Sequence, residues 1–254
     1  MKKFITNKYV LTILGCLLFL LIWIIISLAV NETTMIFPDP LSTVIEAGKI
    51  LSNSYVYECL LWTMLRMVIG FSASFIAALI FGLLAGHFPY LKTILNPTIV
   101  ALKSIPTAAL VFLFLVIVKA RYAPIFIVIL ISFPILYESI AAGINNIPED
   151  ILDATRVDGS RAMNTVLKIR LPLSIPYIIV GIASSFALSF KIEIMAEIIT
   201  GDTRSGLGSA ISAAQKNDPS NMVPIFAYSL IAIIFILIVT LIEDIATKKV
   251  KKYF

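Results

Sequence analysis

From Tyr9 to Val30 the chain runs without a charged residue. A helix of about 20 apolar residues crosses the ~30 Å hydrocarbon core of a bilayer. In lipid a lone stretch can satisfy its backbone only as a helix. Comparable lengths recur at Met67–Gly86 and Val223–Ile242. Ala123–Ile144 qualifies if Glu138 is accommodated, and Leu173–Ile199 if Lys191, Glu193 and Glu197 are. Ala108–Val118 is too short alone and reaches spanning length only by extending back through Pro106 and Lys103 toward Leu95. The reading is an all-α, polytopic membrane protein with six transmembrane helices. Barrel strands are excluded, because the runs are too long and do not alternate.

Composition agrees. Of 254 residues, 59% are hydrophobic and only 14% charged, too little polar surface for a soluble globule of this size. The net charge of +5 does not point to nucleic acid, because the bases collect at one membrane face. Lys2, Lys3 and Lys8 precede the first span. Lys92 and Lys103 follow the second, Arg156, Arg161, Lys168 and Arg170 the fourth, and Lys248, Lys249, Lys251 and Lys252 the last. By the positive-inside rule these segments, with both termini, are cytoplasmic. Lys119 and Arg121, between the third and fourth spans, run against the rule. The first span resembles a signal peptide, but its apolar core is too long and no cleavage site follows.

The outer segment before the second span contains Phe37-Pro38-Asp39-Pro40, an extended approach. Ser42-Thr43-Val44-Ile45-Glu46 then signals a short helix. The inner segment 145–172 is richer. Asn146 and Pro148 fit a helix start, Gly159 a left-handed stop, Ser160 a second cap, and Pro172 a termination. Two short helices meeting at a glycine elbow, with Ile151, Leu152, Val157, Met163, Val166, Leu167 and Ile169 as an apolar set, form a surface built to press on a partner or on lipid.

That segment resembles the cytoplasmic signature of inner-membrane permeases from binding-protein-dependent ABC importers: Glu-Ala-Ala, three residues, Gly, nine residues, Ile, one residue, Leu-Pro. Here Asp153-Ala154-Thr155, Gly159, Ile169 and Leu171-Pro172 keep the spacing. The wider chain is similar to the nitrate/sulfonate/taurine-type branch. Shared elements are Phe37-Pro38-Asp39-Pro40, Thr63-Met64-Leu65-Arg66 with Gly70, Ile105-Pro106 with Ala109, and Glu197 before Gly206-Leu207-Gly208. The branch's Trp-Phe-Gly-like turn is replaced by Leu115-Val116-Ile117 and Lys119-Ala120-Arg121.

The resemblance implies a type I permease fold with coupling helices. It divides the chain into a first span and outer segment (1–63) and a five-helix transport core (64–254). It implies docking of Asp153, Ala154, Thr155, Gly159, Ile169, Leu171 and Pro172 on ABC ATPase subunits, which would bind the ATP and Mg; this chain would hold no cofactor. It further implies a second permease copy and an extracytoplasmic substrate-binding protein. The cargo expected of the branch is a sulfonate-, nitrate- or taurine-like anion, or else a thiamine-precursor-like heterocycle.

Polar groups inside spans face cavities or one another. Gly181, Ser185, Ser189, Glu193 and Glu197 recur every four residues and make a winding stripe, a candidate path or gate lining. Two carboxylates near its outer end call for a partner such as Arg66 or Lys191, with Glu197 the more structural of the two. Glu138 is a further path candidate. Gly70, Ser74, Ala78, Gly82 and Gly86 form a small-residue stripe suited to close helix packing. An ion-coupled carrier or channel is the alternative reading. Enzymatic activity has no support: no His-Glu-x-x-His, nucleophile elbow, metal spacing or phosphate loop is present.

Overall fold

A computed structural model describes residues 8–30, 37–148, 150–151, 165–201 and 205–251. The described residues are helical, with no strand among them. The helices are α1 (Lys8–Ala29), α2 (Pro40–Leu51), α3 (Ser54–His87), α4 (Pro89–Ser104), α5 (Thr107–Ile117), α6 (Ala123–Asn145), α7 (Leu171–Thr200), α8 (Leu207–Asn217) and α9 (Val223–Lys251). A π-helical turn, Val166–Arg170, leads into α7.

Helices α1, α3, α6, α7 and α9 are each long and apolar enough to cross a membrane. The third span of the sequence reading is not one continuous helix. It is the pair α4 and α5, bent by 97° at Ile105–Pro106. Pro106 lacks the N–H a continuing helix needs and biases Ile105 toward extended backbone; Ile105 has φ −72° and ψ 126°. The predicted path through Pro106 therefore breaks into two short helices.

The packing shows that this broken pair still carries the chain back across. An added Cβ at Gly70 would touch Ile125 and Val128, at Gly82 Ile140, and at Gly86 Ile144. Residue numbers rise together, so α3 and α6 run parallel. The chain must return between them by the separation of Gly86 from Gly70, about 24 Å at 1.5 Å per residue. Helix α5 covers about 16 Å of that. It rises antiparallel to α6, with the Phe114 and Phe126 rings stacked 5.7 Å apart. At the top of the crossing, Arg121 sits over the Trp62 ring at 5.4 Å. The turn carrying Lys119 and Arg121 thus lies level with the N-terminal part of α3.

Helix α7 is antiparallel to α6: Gly143 packs on Ser174 and Tyr177, Gly181 on Ser139, and Ser132 bonds Ser189 at 2.7 Å. The small-residue stripe of α3 is the seam that lets α6 approach. Phe71 and Phe186 close α3 against α7. Helix α1 is peripheral: Trp23 donates to the Pro38 carbonyl at 3.0 Å and sits near Phe226 of α9.

Two local expectations change. Helix α2 starts at Pro40, capped by Asp39 rather than Ser42. The Asp39 carboxylate accepts from the Leu41 and Ser42 N–H groups, each at 3.0 Å. The Ser42 hydroxyl first, and then those backbone bonds, hold its pKa below the usual carboxylate value. Pro172 does not end a helix. It stands in the first turn of α7, where its missing N–H is harmless, and the Leu171 N–H bridges back to the Val166 carbonyl across the π turn. The boundary at residue 63 falls inside α3, which begins at Ser54.

Candidate functional site

Three helices, α3, α7 and α8, meet around the buried cation of Arg66. Arg66 of α3 is 7% exposed, while Glu193 and Glu197 of α7 are 0% and 1% exposed. The Arg66 Nε donates to Glu193 Oε1 at 3.2 Å. Its Nη2 donates to Glu197 Oε1 and to the Ser205 carbonyl, the latter at 2.7 Å. Snorkelling of Arg66 is thereby excluded; the guanidinium lies inside the protein.

Glu197 is fully engaged. Thr63 directs its hydroxyl between the two carboxylate oxygens, 3.0 and 2.9 Å away. The Gly208 N–H donates to Glu197 Oε2 at 2.8 Å, and the Leu207 N–H donates to the Thr63 hydroxyl oxygen at 2.8 Å. Both N–H groups belong to the first turn of α8, where free donors and the helix dipole favour a carboxylate. The cluster therefore clamps α8 to α3 and α7. Glu193 is less engaged: its Oε2 is buried without a hydrogen-bond partner.

The clamp explains the glycines after it. Gly206 has φ 142°, a region where side chains are strained. A Cβ there would also meet Glu197 Oε1 at 2.6 Å. At Gly208 a Cβ would strike the Ile194 carbonyl and lie 2.6 Å from Glu197 Cβ. Gly206 and Gly208 thus let the N-terminal turn of α8 approach the buried carboxylate, with Leu207 fully buried between.

The remaining predicted residues separate. Ser185 donates to the Gly181 carbonyl of its own helix at 2.6 Å, and Ser189 to Ser185 at 2.6 Å. Both are buried within the protomer. Lys191 lies on the exposed side of α7, outside the cluster. Glu138 faces outward and pairs with Lys103 of α4, whose Nζ donates to both carboxylate oxygens at 2.9 and 2.8 Å. Ile169 lies in the π turn, and Leu171 and Pro172 begin α7. Asp153, Ala154, Thr155 and Gly159 lie outside the described residues. Sequence reading missed Thr63 and Lys103 as site residues. Thr63 lies three positions, nearly one helical turn, before Arg66, a spacing that places both on one face; Lys103 carried no local signal beyond its charge.

Parallel and antiparallel spans packed on small residues, with ionic groups locked inside, define a multi-pass helical membrane protein of the permease kind. More narrowly, the chain belongs to the binding-protein-dependent transport system inner membrane components, whose family profile matches residues 78–252. It is a transport subunit of the ABC permease class. It is 29% identical over 187 residues to the nitrate import permease protein NrtB of Leptolyngbya laminosa, covering 73% of this chain and 66% of that one. It is 29% identical over 248 residues to the bicarbonate transport system permease protein CmpB of Synechococcus elongatus, covering 92% and 85%. Among solved structures, an inward-facing MetNI methionine ABC transporter chain aligns with TM-score 0.60 and 17% identity, covering 77% of this chain and 94% of that one. This likeness establishes the type I permease fold.

Proposed function

We propose that this chain forms the membrane path of an ATP-driven importer for a small inorganic or organic oxyanion of the nitrate and bicarbonate kind. The observation that carries the cargo class is the likeness to permeases named for nitrate and bicarbonate, which for CmpB extends over 92% of the chain. The chain works beside a second permease copy on two ATPase subunits, and these bind ATP and Mg. An extracytoplasmic binding protein delivers the cargo. Both termini and segment 145–172 face the cytoplasm, where Asp153, Ala154, Thr155, Gly159, Ile169, Leu171 and Pro172 make the coupling surface. Residues from α3 onward form the transport core, and α1 is an accessory span.

The stripe residues act differently along α7. Ser185 and Ser189 pack the protomer's interior. Glu197 and Arg66 fix the outer end, and Glu193, with one free oxygen, tunes it. The test is uptake by proteoliposomes holding the permease, its ATPase and its binding protein. ATP-dependent accumulation of 15N-nitrate or 14C-bicarbonate supports the reading. Accumulation of neither, alongside cargo-stimulated ATP hydrolysis with a thiamine-precursor-like heterocycle, overturns the anion assignment.

A further inference from the structure

Helices α3 and α7 run antiparallel and are tied at three levels. Arg66 meets Glu193 and Glu197, Phe71 meets Phe186 with ring centroids 5.1 Å apart, and Gly86 meets Arg170. At one end an arginine of α3 reaches into α7. At the other an arginine of the π turn reaches back: Arg170 Nη1 donates to the Gly86 carbonyl at 3.3 Å. The buried stripe of α7 leads to the same place. Ser174, Ile178, Gly181, Ser185 and Ser189 are buried. Arg170 already has helical backbone, φ −67° and ψ −43°, and stands four residues before Ser174, so it shares that face. The stripe ends in a cation directed at the C-terminus of α3.

That terminus suits a cation. Gly86 lies in the last turn of α3, whose carbonyls lack partners within the helix. Phe88 leaves in extended conformation, φ −110° and ψ 103°, so no left-handed cap closes the turn. The helix dipole favours positive charge there. The same glycine is locked against α6, since a Cβ at Gly86 would stand 2.7 Å from Ile144 Cβ. Helix α6 in turn packs Gly143 on Ser174 and Tyr177 of α7. The guanidinium therefore joins α7 to α3 where three helices converge, and Thr165 and Val166, which lead to it, are buried. In the signature spacing Arg170 is the unspecified residue between Ile169 and Leu171-Pro172.

We propose that Arg170 is a positioning residue for ATP-driven transport: it hooks the C-terminal end of α3, so that a displacement entering through segment 145–172 moves α3 together with α7. Arg66 binds the same two helices at their other end, so α3 and α7 travel as one rigid pair. The helix they move against is α4, held to α6 by the half-exposed Lys103–Glu138 pair. The inference rests on the reading of segment 145–172 as the coupling surface, and its test separates the two.

The test uses the permease–ATPase complex in lipid nanodiscs, in a background of Cys16→Ser and Cys59→Ala, with spin labels at exposed sites. Ile80→Cys on α3 with Leu188→Cys on α7 reads the hooked pair. Val100→Cys on α4 with Leu188→Cys reads α4 against α7. Ile80, Leu188 and Val100 are 53%, 38% and 53% exposed. Pulsed-EPR distances are taken without nucleotide and with a non-hydrolysable ATP analogue and Mg. With Arg170 in place, the analogue shifts the Val100–Leu188 distance and leaves Ile80–Leu188 unchanged. Arg170→Met lets Ile80–Leu188 shift as well, by about 1–2 Å, the size of a helix slide. Arg170→Lys, which keeps the cation and a donor, restores the fixed distance. A bond that served stability alone would lower the melting temperature of Arg170→Met and leave both distances as in the unaltered chain, which overturns the proposal. An Ile80–Leu188 distance that shifts with Arg170 in place, or that Arg170→Lys fails to fix, overturns it too. If the analogue shifts neither distance, in the unaltered chain or in Arg170→Met, the coupling reading itself fails and the hook falls with it.

Discussion

Changing one carboxylate oxygen to an amide separates the two glutamates of the outer clamp. In Glu197→Gln the amide NH2 must face fixed donors. If it replaces Oε1 it meets the Arg66 Nη2, which never loses its protons. If it replaces Oε2 it meets the Gly208 backbone N–H, 2.8 Å from that oxygen in the native site. Thr63 can turn its hydroxyl to accept, but it already accepts from Leu207. In either orientation a buried N–H loses its acceptor, at about 1–3 kcal/mol, and a charge-assisted bond to Arg66 is weakened. Glu193→Gln has an orientation without this conflict. Its amide oxygen accepts from Arg66 Nε, and its NH2 takes the place of the partnerless Oε2. It weakens its own charge-assisted bond to Arg66 as well, but strands no donor that is bonded in the native site, so its cost is the smaller of the two.

The expected difference of about 2 kcal/mol corresponds to roughly 4–8 °C for a chain of this length. Cys59 reports it directly. It is fully buried on α3, while the exposed Cys16 can be removed as Cys16→Ser. A thiol-reactive fluorophore in a temperature ramp then reads the opening of the bundle. Glu197→Gln should unfold lower than Glu193→Gln by that margin. Equal midpoints, or Glu193→Gln as the weaker protein, would refute the hydrogen-bond assignment.

Other outcomes follow from the same geometry. Gly181→Ala should cost about 1–3 kcal/mol in the same ramp, because the new Cβ would stand 2.5 Å from Ser139 Cβ. Gly48→Ala, which meets nothing within 4 Å, should stabilise by about 0.5–1 kcal/mol. In a background lacking Cys16 and Cys59, Lys119→Cys should react with an impermeant thiol reagent from outside, and Lys168→Cys and Lys251→Cys only from the cytoplasm. Gly159→Val and Asp153→Lys should each leave membrane insertion intact and reduce co-purification with the ATPase.

The spans were legible because lipid leaves the backbone few choices: α6 and α7 begin and end within two residues of the apolar runs that predicted them. The seam Gly70, Ser74, Ala78, Gly82, Gly86 was legible as packing because its period of four is a local property of one helix. Its partner was not, since nothing in those residues names α6. Pairing of the α7 glutamates with Arg66 could be anticipated from the cost of isolated charge. The role of α8 could not, because two backbone N–H groups carry it and no side-chain pattern announces them. The third span was extended in the sequence reading through Ile105–Pro106, where Ile105 is instead extended and the pair bends by 97°. Lys103 and Glu138 lie 35 residues apart on helices joined through that break, so their meeting depends on the bend the hydropathy concealed.

The two ionic centres differ in a way that bears on motion. At the outer end, Arg66, Glu193 and Glu197 are buried, and all but one carboxylate oxygen are bonded. Separating α8 from α3 and α7 would strand charges in a dry interior, which costs about 3–5 kcal/mol for a single broken buried pair. That end moves as one piece. At the inner end the Lys103–Glu138 pair is half exposed, and solvent-accessible pairs are worth about 0–1 kcal/mol, so it opens readily. Between them α7 is continuous for 30 residues, about 45 Å. Its N-terminal extension is a π turn, Val166–Arg170, a rare geometry that recurs at functional sites. A displacement entering at that turn is therefore absorbed first where the Lys103–Glu138 pair is weak. It reaches the outer clamp only as a rigid displacement of α7 together with α8. On this arrangement the Lys103–Glu138 end of the bundle changes shape more readily than the Arg66 clamp does.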